Sequence, residues 1–541
     1  MIRRTILSIL ALSLVISLTG SAWAVSGDVV KEFPTPGKHP TGLTYDAKTK
    51  TLWLADRMTD KLYQINPETG KVIKTLDAPD FQIEGLAMAN GKLWAMDVEN
   101  SCAYLINPKT GVTERKIEIY CAEPTGLAFD GKYLWTASRK RERLYKINPA
   151  DGTTERTYPI PAEEAQGLAF DGKYLWVSDR KRDEIYMLSP WDCRVIMTIK
   201  SPGPFPRGLA YDGKYIWNVD YQTDKLYKIV RFDKETRKIY DPKRRTLTCM
   251  HELHNAGPKP ISADVYLAIP QNRQEQKLLG EVKIEPKPVE IMTNKLGQQV
   301  ARCHFDNVKA GEKAIAKMTV DNELSRIMFY INPERTGTLA DVPKDIKEKY
   351  LVDGAKFDIN DSYIKSLTKK VVGNEKNCYW IARRIYNYVL DKVEYERVAG
   401  WNSASHVLRS GKGSCSEFSF SLIAMCRAAG LPARFVGSVV VRYDDASTDY
   451  GVFHRWAEVY LPNYGWVTFD PSSRIANSPI PANQAMAVGY RDHRYLITTY
   501  GATDTKGLEW NYTTNAAWKA KGPARVIEER VGEWEPLEAK K

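Results

Sequence analysis

The chain has 541 residues, 43% of them apolar, and 78 Lys and Arg against 66 Asp and Glu give it a formal net charge of +12. That length and apolar share exclude a disordered chain and predict about three domains. No segment beyond the N-terminal run approaches the ~18 apolar residues of a membrane-spanning helix, so no transmembrane segment is expected in the mature chain.

In chain order, Met1-Ile2-Arg3-Arg4 precedes an apolar run from about Ile6 to Leu18, and Ser21-Ala22-Trp23-Ala24 follows. A charged start, an apolar centre and an Ala-x-Ala site predict a secretory signal peptide, residues 1–24, cleaved after Ala24. The expected destination is the periplasm or the exterior. Export argues against a nucleic-acid partner, while the positive charge makes an anionic cell-envelope polymer a candidate partner.

Residues 25–245 are dominated by a repeat. Trp53, Trp94, Trp135, Trp176 and Trp217 follow one another at intervals of 41, as do Tyr63, Tyr104, Tyr145, Tyr186 and Tyr227. Gly-Leu pairs begin at Gly42, Gly85, Gly126, Gly167 and Gly208. Each unit carries about four short strands, and four strands at this period predict an all-β propeller of about five blades. The segment Val29 to Phe33 resembles the last strand of a unit, Val72 to Leu76, and is expected to complete the final blade. The units resemble exported propellers of diverse function, a likeness that carries over no catalytic residue. Arg139-Lys140-Arg141 and Arg180-Lys181-Arg182 occupy equivalent loops of adjacent units. Clustered guanidinium groups suit carboxylates and phosphates, which makes these six residues candidates for substrate or envelope binding; a solvated loop surface is the plainer alternative. The recurring Asp56, Asp97, Asp179 and Asp220 are expected to cap turns and not to bind metal.

Residues 246–335 predict a β-sandwich, with strands clearest at 264–269, 278–284, 299–305 and 314–320. No phosphate loop, calcium loop or metal motif appears anywhere, and no cofactor is expected.

The stretch from Gly413 to Asp470 carries the chemistry. Gly411 and Gly413 break the preceding structure; Phe418, Leu422, Met425 and Cys426 then recur at helical spacing until Gly430 and Pro432. Cys415 therefore opens a buried helix, where the positive end of the dipole favours thiolate, the nucleophilic form. His454 to Leu461 alternates as a strand, Pro462 to Gly465 is a turn, and Trp466 to Phe469 is a second strand. Hairpin register about a centre near 462 sets Asp470 opposite or diagonal to His454. An aspartate there can hold the imidazole tautomer while the other ring nitrogen serves a thiol.

The words Gly413-Ser-Cys415-Ser-Glu-Phe, Cys426-Arg427-Ala-Ala-Gly430-Leu-Pro432-Ala-Arg434, His454-Arg-Trp456-Ala-Glu458-Val-Tyr460 and Gly465-Trp466-Val-Thr-Phe-Asp470-Pro471 together resemble the transglutaminase-like core of the papain-type thiol enzyme superfamily. The resemblance covers residues about 340–475 and sets an α+β, papain-like domain at 336–480, with 481–541 as a C-terminal extension packed on it. It implies Cys415 as nucleophile, His454 as general base and acid, and Asp470 as its orienter. The Cys415 N–H is one expected oxyanion donor, and the Trp401 indole is the candidate for the second, with Asn402 and Tyr395 as competitors. A sandwich of this kind often precedes such a core in bacterial proteins. The expected reaction is thiolate attack on an amide carbonyl of a protein or peptide. Hydrolysis of a peptide or isopeptide bond is favoured over acyl transfer to a lysine amine, and a non-catalytic binding scaffold is the third reading.

Overall fold

The computed structural model describes residues 26–232, 235–396, 402–442, 448–449, 453–473, 475–476, 478–501, 506–508, 516–521 and 525–537. The predicted signal segment and Trp401 lie outside the described residues.

Five four-stranded antiparallel sheets follow from the repeat. Four are meanders of consecutive strands whose first members are Pro40–Asp46, Ile83–Ala89, Pro124–Phe129 and Ala165–Phe170. The fifth holds Pro206–Tyr211, Tyr215–Asp220 and Lys225–Val230, and its outer place is taken by Val29–Pro34, antiparallel to Lys225–Val230. The first strand of each sheet packs against the first strand of the next, and the fifth against the first, so the sheets close into a ring. The Gly-Leu pairs mark that contact. A Cβ on Gly85, Gly167 or Gly208 would fall 2.6, 2.2 or 2.4 Å from backbone of the neighbouring sheet, a space only glycine fits. The Asp-Gly turns before the tryptophans also have a physical reason. Asp130, Asp171 and Asp212 each accept two backbone N–H bonds and the indole N–H of Trp135, Trp176 and Trp217, at 2.8, 2.7 and 2.8 Å. Asp56, Asp179 and Asp220 accept backbone N–H groups of their own turns.

The sandwich begins earlier than its predicted start, because a strand runs from Arg237 to Asn255. Lys313–Phe329 pairs with it over most of its length. The facing sheet is built on Ile261–Ile269 and Gln299–Val308. Leu247, Leu253, Val265, Leu267, Met318 and Trp534 fill the space between the sheets. The extension 481–541 does not simply pack on the core. Tyr495–Gly501 joins the core sheet, but Ala516–Lys521 pairs with Ile261–Ile269 and Val526–Pro536 pairs with Arg237–Asn255, completing both layers of the sandwich. The open edges of those two long strands supply the reason: each leaves a row of unpaired N–H and C=O groups that a returning strand satisfies.

The core sets helices Ser362–Val372, Cys378–Lys392 and Cys415–Ala428 against a sheet ordered Gly465–Phe469, Phe453–Leu461, Ala433–Val440, Tyr495–Gly501. Two junctions hold the core in place. The fourth sheet of the ring meets helix Cys378–Lys392, where Trp191 stands edge-on to Trp380 at 4.3 Å and Arg194 grips Asp391 at 2.7 and 2.8 Å. The sandwich is tied to the core sheet by buried Glu458. It accepts from Arg434 at 2.6 Å, from Arg273 at 2.6 Å and from Arg491 at 3.0 Å, while Glu275 pairs with Arg273 and Arg491.

Candidate active site

Helix Cys415–Ala428 starts at Ser414, whose side chain and backbone N–H both bond to the buried Glu417 carboxylate in a capping box. The cap fixes Cys415 as the first residue of the helix, with its N–H among the unsatisfied donors of the first turn. Glu417 also accepts from the Asn402 N–H at 3.4 Å, which anchors the start of the segment upstream.

The hairpin brings up the other two groups. Ala457 pairs with Phe469 and Leu461 with Gly465, so the register is centred on Asn463, one residue beyond the expected 462. Asn463 takes φ +68° and Gly465 φ +78°, as this tight turn requires. Asp470 thereby falls diagonal to His454, and its Oδ2 lies 2.6 Å from His454 Nε2. With Nε2 engaged by the carboxylate, Nδ1 is the ring nitrogen left for the thiol, and Cys415 and His454 each shift the other's proton affinity. Asp470 is held in turn by the Ser472 hydroxyl at 2.8 Å and backbone N–H at 3.1 Å.

Eight cysteines are present, all unbridged, and their thiols divide sharply. Burial pushes seven of them up, Cys121 and Cys378 to about 12. At Cys415 burial also acts upward, but the neighbouring His454 ring and the Arg455 guanidinium outweigh it, and the thiol is held below its ordinary value. Burial would lower His454, yet the Asp470 carboxylate, by charge and hydrogen bond, and then Cys415 raise it well above the ordinary imidazole value. Both shifts act in the direction of a thiolate beside an imidazolium, a pair in which nucleophile and proton donor coexist.

Arg455 was not singled out from sequence. It is buried and donates to the Ser416 hydroxyl, which sets a positive charge beside the first turn of the cysteine helix. Its signal was its place directly after His454, on the opposite face of the strand. Trp456 and Tyr495 wall the imidazole at 5.8 and 5.7 Å between ring centroids. A cavity of about 120 Å³ adjoins them, lined also by Asp470, Met486 and Arg494. Such a site can attack a carbonyl carbon and protonate a leaving amine. Among the described residues no group of three or more His, Cys, Asp or Glu side chains is arranged to hold a metal ion. No helix among them is long and apolar enough to cross a membrane.

The six basic ring residues divide in the structure. Arg180 pairs with Glu164 and Arg182 with Glu163, whereas Lys140, Arg141 and Lys181 are exposed. The expected single basic patch is therefore partly neutralised by acidic residues of the preceding loop.

Residues 365–471 match the model of the transglutaminase-like superfamily. Over 74 residues, 12% of this chain, the chain is 38% identical to the uncharacterized protein YebA of Bacillus subtilis (strain 168), covering 10% of that protein. It is 30% identical over 116 residues to the peptide-N(4)-(N-acetyl-beta-glucosaminyl)asparagine amidase of Drosophila melanogaster, covering 21% of this chain and 16% of the amidase. It is 27% identical over 112 residues to the protein-glutamine gamma-glutamyltransferase of Pseudomonas aeruginosa, covering 20% and 17%. The chain thus spans less than a fifth of the length of these relatives, and the segment that matches the superfamily model, residues 365–471, holds Cys415, His454 and Asp470.

Proposed function

We propose that this chain is a thiol enzyme that opens amide bonds of a protein or peptide, with Cys415 as nucleophile, His454 as general base and acid, and Asp470 holding the His454 tautomer. The observation that carries the reading is the 2.6 Å contact of His454 Nε2 with Asp470 Oδ2, which leaves Nδ1 for Cys415 at the head of its helix, and it is supported by the mutual effect of His454 and Cys415 on each other's protonation. The Cys415 thiolate attacks the carbonyl carbon, and the developing oxyanion takes a hydrogen bond from the Cys415 N–H. The tetrahedral adduct collapses as the protonated His454 gives its proton to the departing nitrogen, leaving a thioester on Cys415. Neutral His454 then takes a proton from water, the hydroxide adds to the thioester, and the adduct collapses to the carboxylic acid and the Cys415 thiolate beside protonated His454.

Hydrolysis is favoured. The second reading, transfer of the acyl group to a lysine amine, is supported by the likeness to a gamma-glutamyltransferase. The ring is proposed as a five-bladed propeller serving recognition, and residues 1–24 as a signal for export to the periplasm or beyond. An intracellular full-length product in a secretion assay would remove the last element. The central test is mass spectrometry of a protein substrate incubated with the enzyme and a primary amine: new carboxyl termini or deamidated side chains mark hydrolysis, and incorporated amine marks transfer. Absence of both, with Cys415 intact, would leave the scaffold reading.

A further inference from the structure

The two ends of the ring differ. At one end the fourth sheet meets the core through Trp191, Asp192 and Arg194. At the other end the repeat builds a rim. The residue that follows each capping position donates its N–H to the carbonyl of the residue three before each inner-strand glycine. The bonds are Arg57 to His39 at 3.0 Å, Val98 to Gln82 at 3.1 Å, Arg139 to Glu123 at 3.2 Å, Arg180 to Glu164 at 3.0 Å and Tyr221 to Phe205 at 3.1 Å. Equivalent bonds in all five sheets place Arg57, Arg139 and Arg180 around one mouth, beside the ring contacts of His39 with Tyr221 at 4.3 Å and of Phe205 with Tyr221 at 6.4 Å.

The floor of this mouth comes from the residues just before the inner-strand glycines. Arg207 spans the axis, donating to Glu84 at 2.7 Å and to Gln166 at 2.9 Å, with its guanidinium 5.7 Å from the Tyr221 ring. Arg207 and Gln166 are buried to 6% and 3% exposure. Arg207 Nε, Gln166 Nε2 and Arg139 Nε have no hydrogen-bond partner among the described residues. Three donors lacking acceptors thus meet where four guanidinium groups face the paired carboxylates of Glu84 and Glu164, with exposed Glu123 on the rim. Burial lowers the Arg207 pKa most; Glu84 offsets part of this, and Arg180, Arg139 and Arg57 lower it further. An anion entering the mouth would relieve that repulsion and supply the missing acceptors. Arg180 and Glu164 are each about a third exposed, at 31% and 32%, so a ligand can exchange into their pair.

We propose that this mouth binds a carboxylate on a ligand that also carries an aromatic group. Arg139 and Arg180 grip the carboxylate above Arg207, and Phe205 and Tyr221 form the wall against which the aromatic group stacks. Arg180 already lies 5.8 Å from the Phe205 ring, so the guanidinium and the aromatic wall are contiguous. The inference rests on the ring being the recognition module and is independent of the thiol chemistry.

The full chain carrying Cys415→Ala is titrated calorimetrically with N-acetylphenylalanine and with its carboxamide, so that no turnover enters the measurement. The acid should bind with affinity that falls as salt rises, and the amide should bind at least about tenfold more weakly. Arg139→Gln with Arg180→Gln should weaken the acid at least about tenfold, and Arg139→Lys with Arg180→Lys should restore part of it, because lysine keeps the charge without the planar fork. Equal binding of acid and amide, no saturation by either below about 10 mM, or full affinity in the Gln variant would overturn the proposal. If the Gln variant melts lower than its parent, the comparison of acid with amide decides alone. An absent titration would leave the core chemistry standing, and an inert Cys415 would leave this site standing.

Discussion

Replacing Glu458 by Gln tests the junction between sandwich and core. Glu458 is 1% exposed and contacts three guanidinium groups, with Glu275 the only other carboxylate among the five residues of this cluster. The five side chains carry three positive and two negative charges; the substitution leaves three against one around the buried position 458. Removing one partner of a buried charge pair costs about 3–5 kcal/mol, because the survivors stay buried and uncompensated. For a unit of this size each kcal/mol shifts Tm by about 2–4 °C, so the core transition should fall by roughly 6–20 °C. Burial would raise the Glu458 carboxyl, but the facing guanidinium groups of Arg273, Arg434 and Arg491 more than reverse this and hold it well below the ordinary range. A depressed carboxyl stabilises the fold fully above its unfolded value of about 4.3 and loses that contribution as pH falls through the folded value. Calorimetric melting at pH 7 and in acid is the assay. The difference between wild type and Glu458→Gln should be full at pH 7 and shrink toward acid. A loss under about 1 kcal/mol at pH 7 would refute the reasoning, since that is the value of a surface pair.

Asp470→Asn should leave the fold intact and lower kcat by about 10³–10⁴-fold, as the amide no longer selects the tautomer that presents Nδ1 to the thiol; steady-state kinetics on any turned-over substrate measures it. Gly208→Ala should destabilise the ring by about 1–3 kcal/mol, since the added carbon would lie 2.4 Å from Thr41 O, and a denaturant midpoint reads the loss. Deleting residues 26–34 exposes the edge of Lys225–Val230 and removes the stacking of Phe33 on Trp217, so the variant should melt lower and self-associate in sedimentation. Trp380→Ala should cost about 3–5 kcal/mol and loosen the ring from the core, read as a separate early transition in calorimetry.

Local pattern made much of this legible. The interval of 41 between tryptophans sets one sheet per repeat, and the Gly-Leu pairs mark where neighbouring inner strands touch. The hairpin centre follows from the turn at Pro462 to Gly465, so the approach of Asp470 to His454 is legible in the spacing alone. Contacts across long sequence separations were not legible. Val526–Pro536 returns to a strand more than two hundred residues earlier, and an isolated strand pattern does not name its partner. Glu458 read as one polar position of an alternating strand; its partners Arg273 and Arg491 come from segments with no periodic signal. The basic triplets showed charge but not the acidic residues of the preceding loop that neutralise part of it.

The central claim is that Cys415 exists as a thiolate paired with protonated His454. The rate of Cys415 carboxymethylation by iodoacetamide, followed by mass spectrometry across pH 4–10, measures it directly. In the wild type the rate should reach its plateau well below the ordinary thiol value of about 8.5, and in His454→Ala it should rise only near or above that value. A wild-type profile that coincides with that of His454→Ala would contradict the account.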